Sequence, residues 1–167
     1  QAEIADMARR SVAMNGLEER VRILHGDLRE GIAGASGSVD VVSCNPPYMA
    51  LRRGEQSQAT SRAIARQEIC CSLEEAVNET ARLLKNGGRA YFVYRPHRLD
   101  ELFAACNAAR LTPKRMKFAH PYSEREANLV LLEAVKGGGS FLRVEAPIIV
   151  FRSPGVYSDE IRDIYGY

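Results

Sequence analysis

The chain has 167 residues, 46% hydrophobic and 26% charged, enough for one domain with a sizeable core. A formal net charge of only +2 excludes a protein that binds nucleic acid by bulk charge alone. No apolar run approaches the ~20 residues of a membrane helix and nothing resembles a signal peptide, so a cytoplasmic location without a membrane partner is expected.

Ile4, Met7, Ala8 and Val12 recur at helical spacing until Asn15-Gly16, which predicts an amphipathic helix over 2–14. "RVRILH" predicts a strand over 20–25, broken at Gly26-Asp27. The loop "GIAGASGS" leads to "VDVVSC", a predicted buried strand over 39–44. Asn45-Pro46-Pro47-Tyr48 follows at its exit. "SLEEAVNETARLLKNGG" predicts a helix with Ser72 as N-cap, Glu75 completing a capping box, and Asn86-Gly87-Gly88 as its end.

"RAYFVY" is the next predicted strand and "RLDELFAACNAAR" the next helix. "TPKRMKFAH" and "ANLVLLEAV" predict two strands joined by a polar turn, an antiparallel pair. "FLRVEAPIIVF" is a last extended piece, and "YSDEIRDIYGY" a short helix or a partly ordered end. Alternation of strands and helices predicts an α/β fold around a mostly parallel sheet, in which ligands sit at the carboxyl ends of the strands. Gly26-Asp27 and the residues from Asn45 to Tyr48 both fall at such ends. The four cysteines (Cys44, Cys70, Cys71, Cys106) lack metal-ligand spacing and read as reduced thiols in or near the core.

Two consecutive prolines cannot continue a ladder, because neither has a backbone N–H to donate. They fix the chain at the strand's exit and hold carbonyl oxygens in set directions. An Asn side-chain oxygen and the carbonyl of the next proline can each accept one N–H of an exocyclic amine. Such an amine is conjugated and a poor nucleophile, and it gains positive charge as it attacks a methyl group. Paired acceptors align its lone pair and stabilise that charge. A tyrosine ring alongside offers a stacking face to a planar group removed from its stack. The motif therefore suits methylation of a planar amine.

"DVVSCNPPY" resembles the fourth motif of Rossmann-like, S-adenosylmethionine-dependent amino-methyltransferases, which act on adenine, on cytosine or on the glutamine of release factors. "ADMARRSVAMNGLEERVRILHGDLRE", "AIARQEICCSLEEAV", "LLKNGGRAYFVYRP", "HPYSEREANLVLLEAVKGGG", "APIIVF" and "YSDEIRDIYG" together resemble the bacterial tRNA1(Val) adenine-N(6) methyltransferase family. The resemblance implies a Rossmann-like class I methyltransferase sheet, mostly parallel with a C-terminal antiparallel strand pair. It implies S-adenosylmethionine as cofactor and tRNA, at its anticodon-loop region, as partner. By the same resemblance Asn45 and the Pro46 carbonyl hold the target amine, with Asn45 also beside the cofactor. Pro47 shapes the turn, Tyr48 stacks on the base, and Asp27 with Leu28 meets the cofactor adenine.

Residues 49–67 carry Arg52, Arg53, Arg62 and Arg66 against Glu55 alone, and residues 110–117 carry Arg110, Lys114, Arg115 and Lys117 without an acid. Either cluster taken alone reads equally as a solvated face. Together they lean towards RNA phosphates, with Arg52, Arg53, Lys114 and Lys117 as substrate-binding candidates. The family's glycine-rich loop and first strand have no counterpart in this sequence, nor does most or all of its second strand. Aligned on "MARRSV" and "NGL", the ribose carboxylate would fall before Gln1, and Glu3 reads as an exposed first-turn helix residue. The expectation is a single methyltransferase domain over 1–167, the later two-thirds of such an enzyme, that binds cofactor weakly or not at all by itself. Glutamine methylation of a release factor, and a non-catalytic RNA- or protein-binding remnant, remain open beside the tRNA reading.

Overall fold

The computed structural model describes residues 2–46 and 71–166 of the chain. Helix α1 (Ala2–Met14) forms where the periodicity predicts it, with Glu3 in its first turn, yet none of its residues is buried. The strand predicted over 20–25 does not form. A strand exists only through a ladder, and no described strand runs beside this segment. Val21 and Leu24 stay exposed after a turn in which the Val21 N–H donates to the Leu17 carbonyl at 2.8 Å.

Strand β1 (Val39–Cys44) forms as predicted but is not buried, and Val41 is 56% exposed. Among the described strands β1 pairs only with β2 (Leu84–Tyr94), in parallel, so it is an edge with one covered face. Helix α2 (Leu73–Leu83) starts with the expected capping box: Ser72 Oγ accepts from the Glu75 N–H, and Glu75 Oε2 accepts from the Ser72 N–H. It ends earlier than expected. Leu84 is already extended, and Asn86-Gly87-Gly88 belong to β2, not to a helix cap. Their role is close approach, because a Cβ on Gly88 would meet the Lys85 carbonyl at 2.9 Å and that of Asp40 at 3.1 Å. The register shifts there, from Val39 opposite Leu84 to Val41 opposite Arg89.

Helix α3 (Leu99–Ala108), β3 (Leu111–His120) and β4 (Leu129–Lys136) follow, and β3 and β4 form the predicted antiparallel pair. The last extended piece breaks into β5 (Arg143–Val144) and β6 (Ile148–Ile149), both parallel to β3. A hairpin of β7 (Phe151–Ser153) and β8 (Val156–Tyr157) then leads to α4 (Asp159–Tyr165). Ser158 caps α4, and Gly166 closes it at φ +72°, where a side chain would be strained. The sheet order is β1-β2-β4-β3-β5, with β6 also on β3. Among the described strands of this sheet, only β4 runs against the others.

Alternation along the strands gives the sheet two unlike faces. One buries Ala90, Phe92 and Tyr94 of β2 with Val130, Leu132 and Ala134 of β4 beneath α2 and α3. The other carries a smaller cluster of Ala119, Ile148 and Ile161 at α4, and an ion network in which Arg115 bridges Glu133 and Glu145.

Candidate active site

Because β1, β2, β3 and β6 run in one direction, their carboxyl ends share a rim. Cys44 pairs with Phe92, so Asn45 leaves the ladder beside the last residues of β2. Asn45 is exposed and Pro46 is buried. The Pro46 ring therefore anchors the backbone while Asn45 lies at the surface. Pro47, Tyr48, Arg52 and Arg53 lie outside the described residues.

Asp27 reaches the same neighbourhood. It caps the short 3-10 turn Leu28–Glu30, and its carboxylate, together with that of Glu75, helps raise the Cys71 thiol, which burial raises most. Cys71 in turn bears on Cys44, whose thiol is pushed up to about 11, mainly by burial. Cys44 is thus protonated near neutrality and is no nucleophile for the site.

The Asp27 carboxylate takes hydrogen bonds from the Arg29 guanidinium and from the Arg29 backbone N–H, and these pull it down to about 2. The Leu28 N–H makes no hydrogen bond among the described residues. A carboxylate acceptor and a backbone donor on successive residues match the amino group and neighbouring ring nitrogen of an adenine. The guanidinium on Asp27 is an exposed side chain, and an exposed ion pair yields to a competing ligand at little cost. In this structure Arg29 occupies the carboxylate that an adenine-bearing cofactor would need.

A depressed carboxylate keeps its full contribution above its unfolded pKa and loses it as pH falls through its folded value. The Asp27 cap is therefore intact above about pH 4 and is lost only as pH falls through about 2. Arg29→Ala should move the Asp27 titration up towards the usual carboxylate range. An unchanged midpoint in a carbon-detected NMR titration would remove Arg29 as the cause.

The loop carrying Asp27 is clamped to α2. Glu79, nearly buried, accepts the Ile32 N–H at 3.3 Å and pairs with Arg82 at 2.6 Å, and Arg82 Nη2 donates to the Ile32 carbonyl at 3.0 Å. Gly31 is needed beneath the guanidinium: it sits at φ +71°, and a Cβ there would lie 3.1 Å from Arg82 Nη2. Glu79→Ala strands the Ile32 N–H and an arginine, which should cost about 1–3 kcal/mol. Urea unfolding should record that loss, and faster amide exchange at Ile32 should locate it. The Arg82 hydrogen bonds also lower the Glu79 pKa, so this contribution is present above the unfolded carboxylate pKa and fades as pH drops through the lower folded one.

Other expected site residues lie elsewhere. Lys114 sits early in β3 and donates to the Gly139 carbonyl in the turn after β4, at the opposite end of the sheet. Six residues of strand, about 20 Å, separate it from the rim. Lys117 lies halfway along β3, ion-paired to Glu160 at 3.2 Å, beside a cavity of about 390 Å³ on the second sheet face. Arg95 and Arg98 follow β2 directly, and Arg98 is ion-paired to Glu101 at 2.8 Å. Arg95 donates to the Asn128 carbonyl at 3.0 Å, and Arg98 stands 5.4 Å from the Tyr94 ring centre.

This architecture is the Rossmann-like methyltransferase fold. The structure superposes on a protein described as a predicted O-methyltransferase from Agrobacterium tumefaciens with a TM-score of 0.76, over 99% of this chain and 74% of that one, at 22% identity. On geranyl diphosphate C-methyltransferase from Streptomyces coelicolor A3(2) the TM-score is 0.54, over 79% and 60%, at 14% identity. In sequence, the chain is 30% identical over 92 residues to the tRNA1(Val) (adenine(37)-N6)-methyltransferase of Vibrio vulnificus strain CMCP6. That alignment takes in 55% of this chain and 37% of the relative, and the protein of strain YJ016 matches equally. The chain thus spans little more than a third of the length of these curated relatives. No protein-family model matches it.

Proposed function

We propose that the chain is part of an S-adenosylmethionine-dependent methyltransferase acting on an exocyclic amine, the N6 amine of an adenine in tRNA. The observation that carries this reading is Asn45-Pro46 at the carboxyl end of β1. Similarity to the Vibrio adenine-N6 enzymes supports adenine as the target base.

Asp27 and the Leu28 N–H would hold the cofactor's adenine. When bound, S-adenosylmethionine supplies an electrophilic methyl group on a sulfonium sulfur. The Asn45 side-chain oxygen and the Pro46 carbonyl accept the two N–H bonds of the target amine and turn its lone pair towards that methyl. The same two oxygens would stabilise the positive charge that builds on nitrogen as it takes the methyl group. The amine then gives up a proton to water, and no strong base is required before transfer. Tyr48 would stack on the splayed base, Pro47 would set the turn, and Arg52 and Arg53 would contact phosphates of the anticodon-loop region.

The test is methyl incorporation into total tRNA and into purified release factor, by a protein carrying this chain behind a cofactor-binding amino-terminal segment. Label in tRNA, lost with Arg52→Glu/Arg53→Glu and falling with added salt, is the expected result. Label confined to the release factor moves the assignment to glutamine. No label in either leaves a binding protein.

A further inference from the structure

Three aromatic rings stand at the far end of the rim. Tyr122, in the turn between β3 and β4, lies 5.7 Å from Phe151, and Phe151 stacks on Tyr157 at 5.0 Å and 19°. The chain fixes this row to the end of β3 through its backbone: the Phe151 N–H donates to the Pro121 carbonyl, the Val150 N–H to that of His120, and the Ser158 N–H to that of Val150. Phe151 covers one side of the Tyr157 ring, and Tyr157 is nevertheless 43% exposed. From β1 to β3 the sheet crosses β2 and β4, three ladder steps or about 14 Å. The row therefore lies within a few nucleotides' reach of Asn45.

We infer that the Tyr122–Phe151–Tyr157 row is a stacking platform for an unpaired RNA base near the methylated adenine, with Tyr157 as the ring the base covers. This rests on the tRNA reading of the Asn45 site. A planar base extends the Phe151–Tyr157 stack with no change of geometry, whereas Tyr122 is tilted 36° to Phe151 and flanks that stack; every base offers a π-face. Two of the three rings carry hydroxyls, which suits a face that is wet between encounters. Charge around the row is mixed: Arg125 and Arg152 are exposed, but Glu124 and Glu126 share the hairpin and Asp159 lies 3.9 Å from Arg152. The platform therefore recognises ring faces, not phosphate, and works alongside the cations nearer Asn45.

The chain contains no tryptophan, so Tyr157→Trp makes a single fluorescent reporter. Titrating this variant of the 167-residue chain with a single-stranded RNA of anticodon-loop sequence should quench its emission. A fully paired RNA of the same composition should not. Tyr157→Ala should weaken single-strand binding about tenfold with an unchanged salt slope, and Tyr157→Phe should bind as the parent does, which separates stacking from misfolding. RNA binding with an unquenched reporter and an indifferent Tyr157→Ala overturns the platform alone. Absence of any RNA binding overturns the tRNA reading with it, and quenching by release factor but not by RNA moves the face to a protein partner.

Discussion

In a protein carrying this chain behind a cofactor-binding amino-terminal segment, Asn45→Ala is expected to lower methyl transfer about a hundredfold or more while leaving cofactor affinity nearly unchanged. The magnitude follows from removing one of two fixed acceptors that meet a nitrogen only as it becomes positive. Because the stabilised charge exists in the transition state and not in the bound amine, the loss should fall on turnover more than on substrate affinity. Asn45→Asp is the informative partner: it keeps an acceptor oxygen, so it should retain more activity than the alanine variant. Pre-steady-state methyl transfer and calorimetric cofactor titration read the two effects separately. Near-parental transfer by Asn45→Ala would remove the residue from the reaction.

The second large effect is on stability. Phe92 is 1% exposed, pairs with Cys44 on one side and Leu132 on the other, and faces the core beneath α2 and α3. Phe92→Ala should cost about 3–5 kcal/mol, the lost transfer energy plus the void left behind. For a domain of ordinary stability, about 5–15 kcal/mol, that is enough to populate unfolded chain at mild temperatures. Tyr91 is the built-in comparison. It neighbours Phe92 but points to the other face and is 37% exposed. Tyr91→Ala should therefore shift the urea midpoint far less, and equal losses at the two positions would mean that the sheet has no uncovered side.

What could be read from the sequence was what depends on neighbours in the chain. The helix over 2–14, the capping box at Ser72 and Glu75, the strand before Asn45 and the β3–β4 pair all rest on local spacing, and each formed. What could not be read depended on distant partners. "RVRILH" has the residues of a strand, but a strand is made by what lies beside it. Gly87-Gly88 looks like a helix stop, and its purpose became visible only once the Asp40 carbonyl was found against Gly88. The cationic run around Lys114 was plain, yet which end of the sheet it serves is set by the direction of β3 and by the turn holding Gly139. For the candidate site, Asn45 and Pro46 were expected at a strand end and lie at one, whereas the strand expected before Asp27 and Leu28 does not form. The clamp of Glu79 and Arg82 on Ile32 joins residues almost fifty positions apart and left no mark in either segment.

Strand β4 lies between β2 and β3, both of which precede it in the chain. Until Leu129–Lys136 has been synthesised and has entered that gap, β2 and β3 each present an open hydrogen-bonding edge to it. A nascent chain whose β2 and β3 have left the ribosome before β4 thus exposes surfaces suited to pairing with another chain. Translation speed over this short stretch, more than the final stability of the sheet, should govern how much of the protein is recovered in usable form.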